Sequence, residues 1–425
     1  MVNLDNKANK IVANSLRFVS ENANIDDDGR VSIELSIEYY AAFELLLSHI
    51  PDRINYPESI KRTVLFRALK RWVKYKKYRN NPDLEMALQE AFTKELDLLE
   101  RKIKTFTVLM FINADYQTLE RLGDFSAIDS TLRLKNWNEL SELDMNEFWR
   151  QMKIEDKDGL ILRNIESYQY PNQNNYTPIT IDTLTYSHEA AVEIANKKID
   201  LLRGFINTSL LIFEFTYHRS IPKALSKLLP TPIYGVFGYD KKFIILYHTV
   251  EKYSYKKFRI GENRVGFFRR LIEHYLSSAD NELVIHLVQV IQQYQKALDM
   301  NNQEIAYLAM WRVLEFGVSF GEIGVDVEKR VKTLLRLPPV LKDALKLIGR
   351  QRNLMVHSGI FPSDSDKIFF ILKEIVDHLI YKLIHLSHNY NSLSELKEYL
   401  ALSSLGDNDL NRKQSVIERI ISSRQ

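Results

Sequence analysis

The sequence predicts an α+β protein, with a mixed α/β region over residues 1–263 followed by an all-α helical bundle. Three observations carry this. Lys104 to Ile112 is a β-branched and aromatic run of strand length. Phe243 to Val250 has the same character, and Gly238-Tyr239-Asp240-Lys241 joins it to Tyr234–Phe237 as a hairpin turn would. Beyond about residue 264 the strand signal stops, and apolar residues recur at helical spacing.

Residues 7–22 read as the first helix. Val31 to Ile37 alternates like a strand, and Tyr39 to Leu47 turns helical. Glu58 to Tyr78 is helical, with Val64, Leu65, Ala68, Leu69 and Trp72 on one side. Pro82 breaks it and Asp83 opens another helix to about Glu100. Lys104–Ile112 and Ser126–Leu134 read as strands and Trp137–Phe148 as a helix. Leu160–Tyr170, the loop Pro171–Asn175 and Ile179–Tyr186 read as strands and a turn. Ser187 caps a long amphipathic helix to Leu211.

Seven helices are expected in the second half, over 264–277, 281–299, 302–320, 326–336, 340–358, 365–390 and 393–402. Asn301, Asp364 and Ser392 serve as N-caps, and Gly359 stands where a C-terminal glycine belongs. The expected domains are 1–263, divisible near 101, then 264–402 and a C-terminal tail of two short pieces over 403–425.

Composition narrows the chemistry. The chain has 425 residues, 45% of them hydrophobic and 27% charged, which suits ordinary globular domains. It has no cysteine, which excludes disulfides, thiol nucleophiles and cysteine-based zinc or iron–sulfur sites. The opening MVNLDNKANKIVANS lacks an apolar core like that of a signal peptide, and no apolar run approaches the ~20 residues of a membrane span. A cytoplasmic protein without membrane contact is expected. Net charge is only +3, but the basic residues cluster. The run from Lys61 to Arg79 contains no acid, and its Lys70, Arg71, Lys74, Lys76 and Lys77 interleave with aromatics as an RNA-binding face would. A second basic stretch extends from Lys252 to Arg270.

The segment with the clearest chemistry is Arg352-Asn353-Leu354-Met355-Val356-His357, at the end of a helix. One Arg and one His suffice for metal-free RNA cleavage. The 2′-hydroxyl attacks the adjacent phosphorus, histidine moves a proton, and the guanidinium fork matches the charged phosphoryl oxygens. Asn353 and His357 are four apart and share a face. Arg352 and His357 are five apart, roughly 140° around an ideal helix. The helix dipole at this end favours a cation, which fits a proton donor better than an acceptor. The bare Arg-to-His spacing recurs at Arg269 and His274, which read as an exposed helix face. The weight therefore rests on Asn353 and on the helix-ending Gly359. His378, His385 and His388 are scattered without a matching acidic ligand, so no metal and no cofactor are expected.

Arg352-Asn353-Leu354-Met355-Val356-His357-Ser358-Gly359 resembles the HEPN ribonuclease signature. Upstream, Met310-Trp311-Arg312-Val313-Leu314-Glu315 resembles the Trp-x-x-Leu-Glu stretch of Apea-like HEPN proteins, and Ser187 through Gly204 is similar to the region before that domain. The resemblance implies a four-helix domain that forms a homodimer with the Arg/His pairs facing each other. It also implies metal-independent endoribonuclease activity in anti-phage defence, with a phage-derived trigger. By the same resemblance Arg352 and His357 are catalytic, Asn353 orients the phosphate or the His, and Glu315 is an auxiliary polar group. Residues 1–263 would then sense the trigger or hold RNA. The alternative expectation is a non-catalytic dimerisation module that binds RNA or another ligand.

Overall fold

The computed structural model describes residues 2–26, 30–33, 36–48, 58–75, 84–157, 176–212, 228–230, 233–248, 260–300, 302–322, 324–335, 337–359, 365–403 and 407–424. The protein is α+β. In chain order the elements are α1 (Val2–Glu21), β1 (Ala23–Ile25), β2 (Val31–Ile33), α2 (Ile37–Ser48), α3 (Glu58–Lys74), α4 (Leu84–Glu100), β3 (Lys104–Ile112), α5 (Tyr116–Glu120), β4 (Leu132–Leu134), α6 (Met145–Lys157), β5 (Thr177–Thr185), α7 (His188–Leu211), β6 (Ile233–Phe237) and β7 (Phe243–His248). The helices α8 (Glu262–Ser277), α9 (Glu282–Asp299), α10 (Gln303–Ser319), α11 (Val327–Leu335), α12 (Pro339–Ser358), α13 (Ser365–Ser387), α14 (Leu393–Ser403) and α15 (Asp407–Arg424) follow.

Strands β1 and β2 pair as a small antiparallel sheet. The other five form one antiparallel sheet in the order β4-β5-β3-β6-β7. The central strands are apolar on both faces: Phe106 to Ile112 and all of β6 are buried. The expected β6–β7 hairpin forms, and Lys241 enters the left-handed region at φ 61° to close its turn.

The chain divides into two compact units. One comprises 1–108, 182–196 and 236–245, and the other 109–181, 197–235 and 246–425. In the first, α1 to α4 share a core. All five residues expected on one side of α3, Val64, Leu65, Ala68, Leu69 and Trp72, are buried in it. In the second, α9, α10 and α13 pack closely, burying Val290, Leu314 and Leu379 among others. Gly317 makes the α10–α13 approach possible, since a Cβ there would stand 2.7 Å from Leu379 Cδ2. A charged network lies beneath α7. Buried Arg203 reaches Asp200 at 2.9 Å and Asp299 at 2.6 Å, and buried Lys373 reaches Asp377 at 2.6 Å.

Several elements differ from expectation for local reasons. The strand at Val31 stops at Ile33, and Ser36 accepts the Tyr39 N–H at 3.1 Å to start α2. Ser126–Leu134 is strand only from Leu132. Asp124 accepts the Ser126 N–H and Asp129 the Thr131 N–H, turning the chain before the sheet. Trp137–Phe148 is not one helix. Trp137–Glu142 is a 3₁₀ segment that ends at extended Leu143, and Asp144 accepts the Glu147 N–H to open α6. Asn302 caps α10. Within the expected C-terminal tail, Asp407–Arg424 forms one helix, α15, rather than beginning after a linker to Asn411. Asp83, Asn301, Asp364 and the expected strand Leu160–Tyr170 lie outside the described residues. Ser187 and Ser392 cap as expected, accepting the Ala190 and Glu395 N–H at 3.2 Å each.

Candidate active site

Helix α12 carries the Arg352–His357 segment, and its local sequence explains both ends. Pro339 occupies a first-turn position, where its missing N–H costs nothing. Gly359 takes the left-handed conformation at φ 63° and its N–H donates to Met355 O at 3.1 Å. Leu345, Ile348, Gly349 and Met355 form the buried face. Buried Tyr307 of α10 donates its hydroxyl to Ile348 O at 2.8 Å. Burial raises the pKa of that hydroxyl well above the ordinary phenol range, so it stays a donor at physiological pH. Trp311 lies close by: a Cβ at Gly349 would sit 3.5 Å from its ring.

The two candidate catalytic residues leave α12 in different directions. Arg352 is half-buried and turned toward α10, where its guanidinium lies 3.6 Å from Glu315. Its Nη1 also donates to Asn353 Oδ1 at 3.2 Å. His357 is exposed and has no hydrogen-bond or ion-pair partner among the described residues, and Asn353 is exposed on the same side. The structure brings together Arg352, Asn353 and Glu315; His357 lies farther round the helix from Arg352, on the side where Asn353 is exposed.

The outer side of α12 is also apolar. Leu347 and Leu354 are each about half exposed, at 50% and 51%, while Val356, at 51%, lies roughly opposite them around the helix. Single exposed apolar residues are ordinary, but Val340, Leu347 and Leu354 recur at seven-residue spacing and make a stripe beside His357.

The expected RNA-binding face belongs to α3. Lys70 lies over the Phe66 ring at 4.5 Å, and Lys74 is exposed. Arg71 is engaged, its Nε 2.5 Å from Glu95 of α4. Arg62 pairs with Glu44. Lys76 and Lys77 lie outside the described residues. Part of the basic run therefore holds helices together.

The second Arg-to-His spacing does not form an exposed face. Arg269 is exposed and donates to Arg121 O at 2.6 Å, but His274 is buried against α13. Its Nε2 lies 2.8 Å from Ser387 Oγ, and its ring lies against that of His388, tilted by 32° with centroids 3.7 Å apart. That pairing depends on packing between helices far apart in the chain, which spacing alone does not reveal. Among the described residues no group of three or more His, Asp or Glu could hold a metal ion, and no helix is long and apolar enough to cross a membrane. No protein-family model, curated protein or solved structure matches the chain.

Proposed function

We propose that the chain is a metal-independent endoribonuclease of the HEPN type that acts as a homodimer, with Arg352 and His357 as its catalytic pair. The observation that carries this is the divergence of the two side chains on α12. Arg352 is held by Glu315 and Asn353, while His357 stands exposed beside an apolar stripe. One chain offers half a site, and a two-fold interface over this face would set two histidines across one cleft.

In this reading the RNA 2′-hydroxyl attacks the adjacent phosphorus in line with the departing 5′-oxygen. One histidine takes the 2′ proton and the other protonates the leaving oxygen, giving a 2′,3′-cyclic phosphate and a 5′-hydroxyl end. Arg352 neutralises the charge on the phosphoryl oxygens, and Asn353 orients the phosphate. The chemistry needs no metal or cofactor. Lys70, Lys74, Lys76 and Lys77 supply cations for the RNA backbone. The setting in the cytoplasm and in phage defence, with a phage-derived trigger, rests on the resemblance of the Arg352–Gly359 and Trp311–Glu315 segments alone.

The test is cleavage of single-stranded RNA by purified protein in EDTA. Wild type should cut and His357→Ala should not, with fold and oligomeric state unchanged. Cleavage that survives His357→Ala overturns the site. Binding without cleavage by wild type would favour a non-catalytic RNA-binding dimer, a reading to which the occupation of Arg352 by Glu315 lends weight.

A further inference from the structure

A cavity of about 690 Å³ opens between α8 and α13, away from the Arg352–His357 segment in sequence. Helical spacing puts its polar residues on shared faces: Arg270 and His274 are four apart on α8, Tyr381 and His385 are four apart on α13, and His388 lies just past the end of α13. The back wall is rigid. Ser387 gives its single hydroxyl proton to Ile384 O at 2.8 Å, so its oxygen accepts from His274 Nε2–H at 2.8 Å. Asn281 ties the rim by donating to Tyr390 O at 3.0 Å. Burial and then the adjacent His388 lower the His274 pKa, which favours the neutral ring against His388.

The front of the cavity is different. The side chains of Arg270 and His385 are exposed and have no partner among the described residues, and His388 lies with its ring against that of His274. Among the described residues Glu273 is the one acid in the lining. The Arg270 fork, unpaired by any ion pair among the described residues, fits a phosphate, and the imidazoles of His385 and His388 can add N–H donors beside it. The volume far exceeds a lone phosphate and falls in the range of small-molecule sites. Phe267 and Tyr381 add ring faces on which a planar base can stack.

We propose that this cavity binds a nucleoside monophosphate, with its phosphate on Arg270, His385 and His388 and its base against Phe267 and Tyr381. The site is independent of the ribonuclease reading and would stand if that reading failed.

Isothermal titration of the full chain tests it, with AMP, GMP, CMP and UMP as probes and adenosine and inorganic phosphate as separate arms. At least one nucleotide should bind, and adenosine and phosphate should each bind about tenfold or more weaker, since each lacks half of the contacts. Arg270→Gln and His388→Gln should each weaken nucleotide binding about tenfold at an unchanged unfolding temperature. His357→Ala should leave binding intact. Absence of heat with all four nucleotides overturns the proposal. So does binding that Arg270→Gln leaves unchanged, and so does adenosine binding as tightly as AMP. If either variant shifts the unfolding temperature, Arg270→Lys replaces it: lysine keeps the charge but not the fork, and undiminished binding would again count against the site.

Discussion

The Arg352 guanidinium lies 3.6 Å from the Glu315 carboxylate, joining the end of α12 to the middle of α10. Both side chains are about a third exposed or more, so the pair contributes less than ~1 kcal/mol to stability. Its importance is orientation. A long arginine side chain is otherwise free to swing, and a catalytic cation must be fixed before charge develops. Glu315→Gln should therefore change the unfolding free energy by less than ~1 kcal/mol while lowering RNA cleavage about tenfold. Arg352→Lys should lose more, because an ammonium cannot reproduce the planar fork. Denaturant titration and initial cleavage rates separate the two effects. Unchanged cleavage in Glu315→Gln would reduce the pair to a surface contact.

The stripe of Val340, Leu347 and Leu354 beside His357 is where a second chain would dock if the site is shared. Leu354→Glu puts a charge at the His357 end of that surface, and burying it without a partner is costly. Sedimentation should show wild type as a dimer and Leu354→Glu as a monomer. The monomer should be folded and inactive, since each half-site lacks its counterpart. A wild type that sediments as a monomer yet cuts RNA would sink the shared-site reading.

What the sequence revealed depended on the range of the interaction. Gly359 was legible as a helix terminator and Ser187 as a cap because both act within a few residues. The Lys104–Ile112 strand and the buried side of α3 were legible from composition and periodicity. Ser126–Leu134 misled because Asp124 and Asp129 bend the chain through their side chains, which outweighs the β-branched residues around them. The divergence of Arg352 and His357 followed from helix geometry. The engagement of Arg352 by Glu315 did not, since which arginine meets that carboxylate depends on how α10 and α12 cross. The burial of His274 is of the same kind: it exists only because α13 packs on α8.

Two buried histidines make stability depend on pH. His286 lies against Phe316 and Phe320 with ring centroids 4.9 and 5.2 Å away. Burial lowers its pKa, against a weaker opposing pull from the Gly317 carbonyl. The His274 pKa is lowered too, by burial and then by His388. A folded-state pKa below the unfolded value means that the unfolded chain binds the proton more readily. The stabilisation is complete above the unfolded histidine value of about 6.5 and is lost as pH falls through the folded values. Chemical unfolding between about pH 7.5 and pH 5.5 should show stability falling with pH. The double variant His274→Gln/His286→Gln should lose most of that slope. An equal slope in both proteins would assign it to other groups.

Gly317 and Gly349 make opposite predictions although both sit in helices near the site. A Cβ at Gly317 would meet Leu379 Cδ2 at 2.7 Å inside a filled core, so Gly317→Ala should cost ~1–3 kcal/mol. A Cβ at Gly349 would meet Glu328 Oε1 at 2.7 Å, the end of a side chain that can move aside. Alanine is also a better helix former than glycine by about 1 kcal/mol, so Gly349→Ala should be near neutral. Denaturation midpoints of the two variants check the ranking, and equal losses would contradict it.

Arg203 has the most demanding environment of any cation among the described residues. It is buried, with Nη1 on Asp200, Nη2 on Asp299 and Nε donating to Leu228 O at 3.0 Å. Burial opposes its charge, but Asp299 and then Asp200 outweigh it and raise its pKa. Asp200 is raised as well, because its own burial exceeds what Arg203 returns. Arg203→Met would leave two carboxylates facing each other without their shared cation. The expected loss is ~3–5 kcal/mol, typical of breaking a buried pair from one side. Adding Asp200→Asn and Asp299→Asn to Arg203→Met should recover much of it, because the stranded charges rather than the lost contact dominate the cost. A loss below ~1 kcal/mol in the single variant would mean that water already screens the cluster.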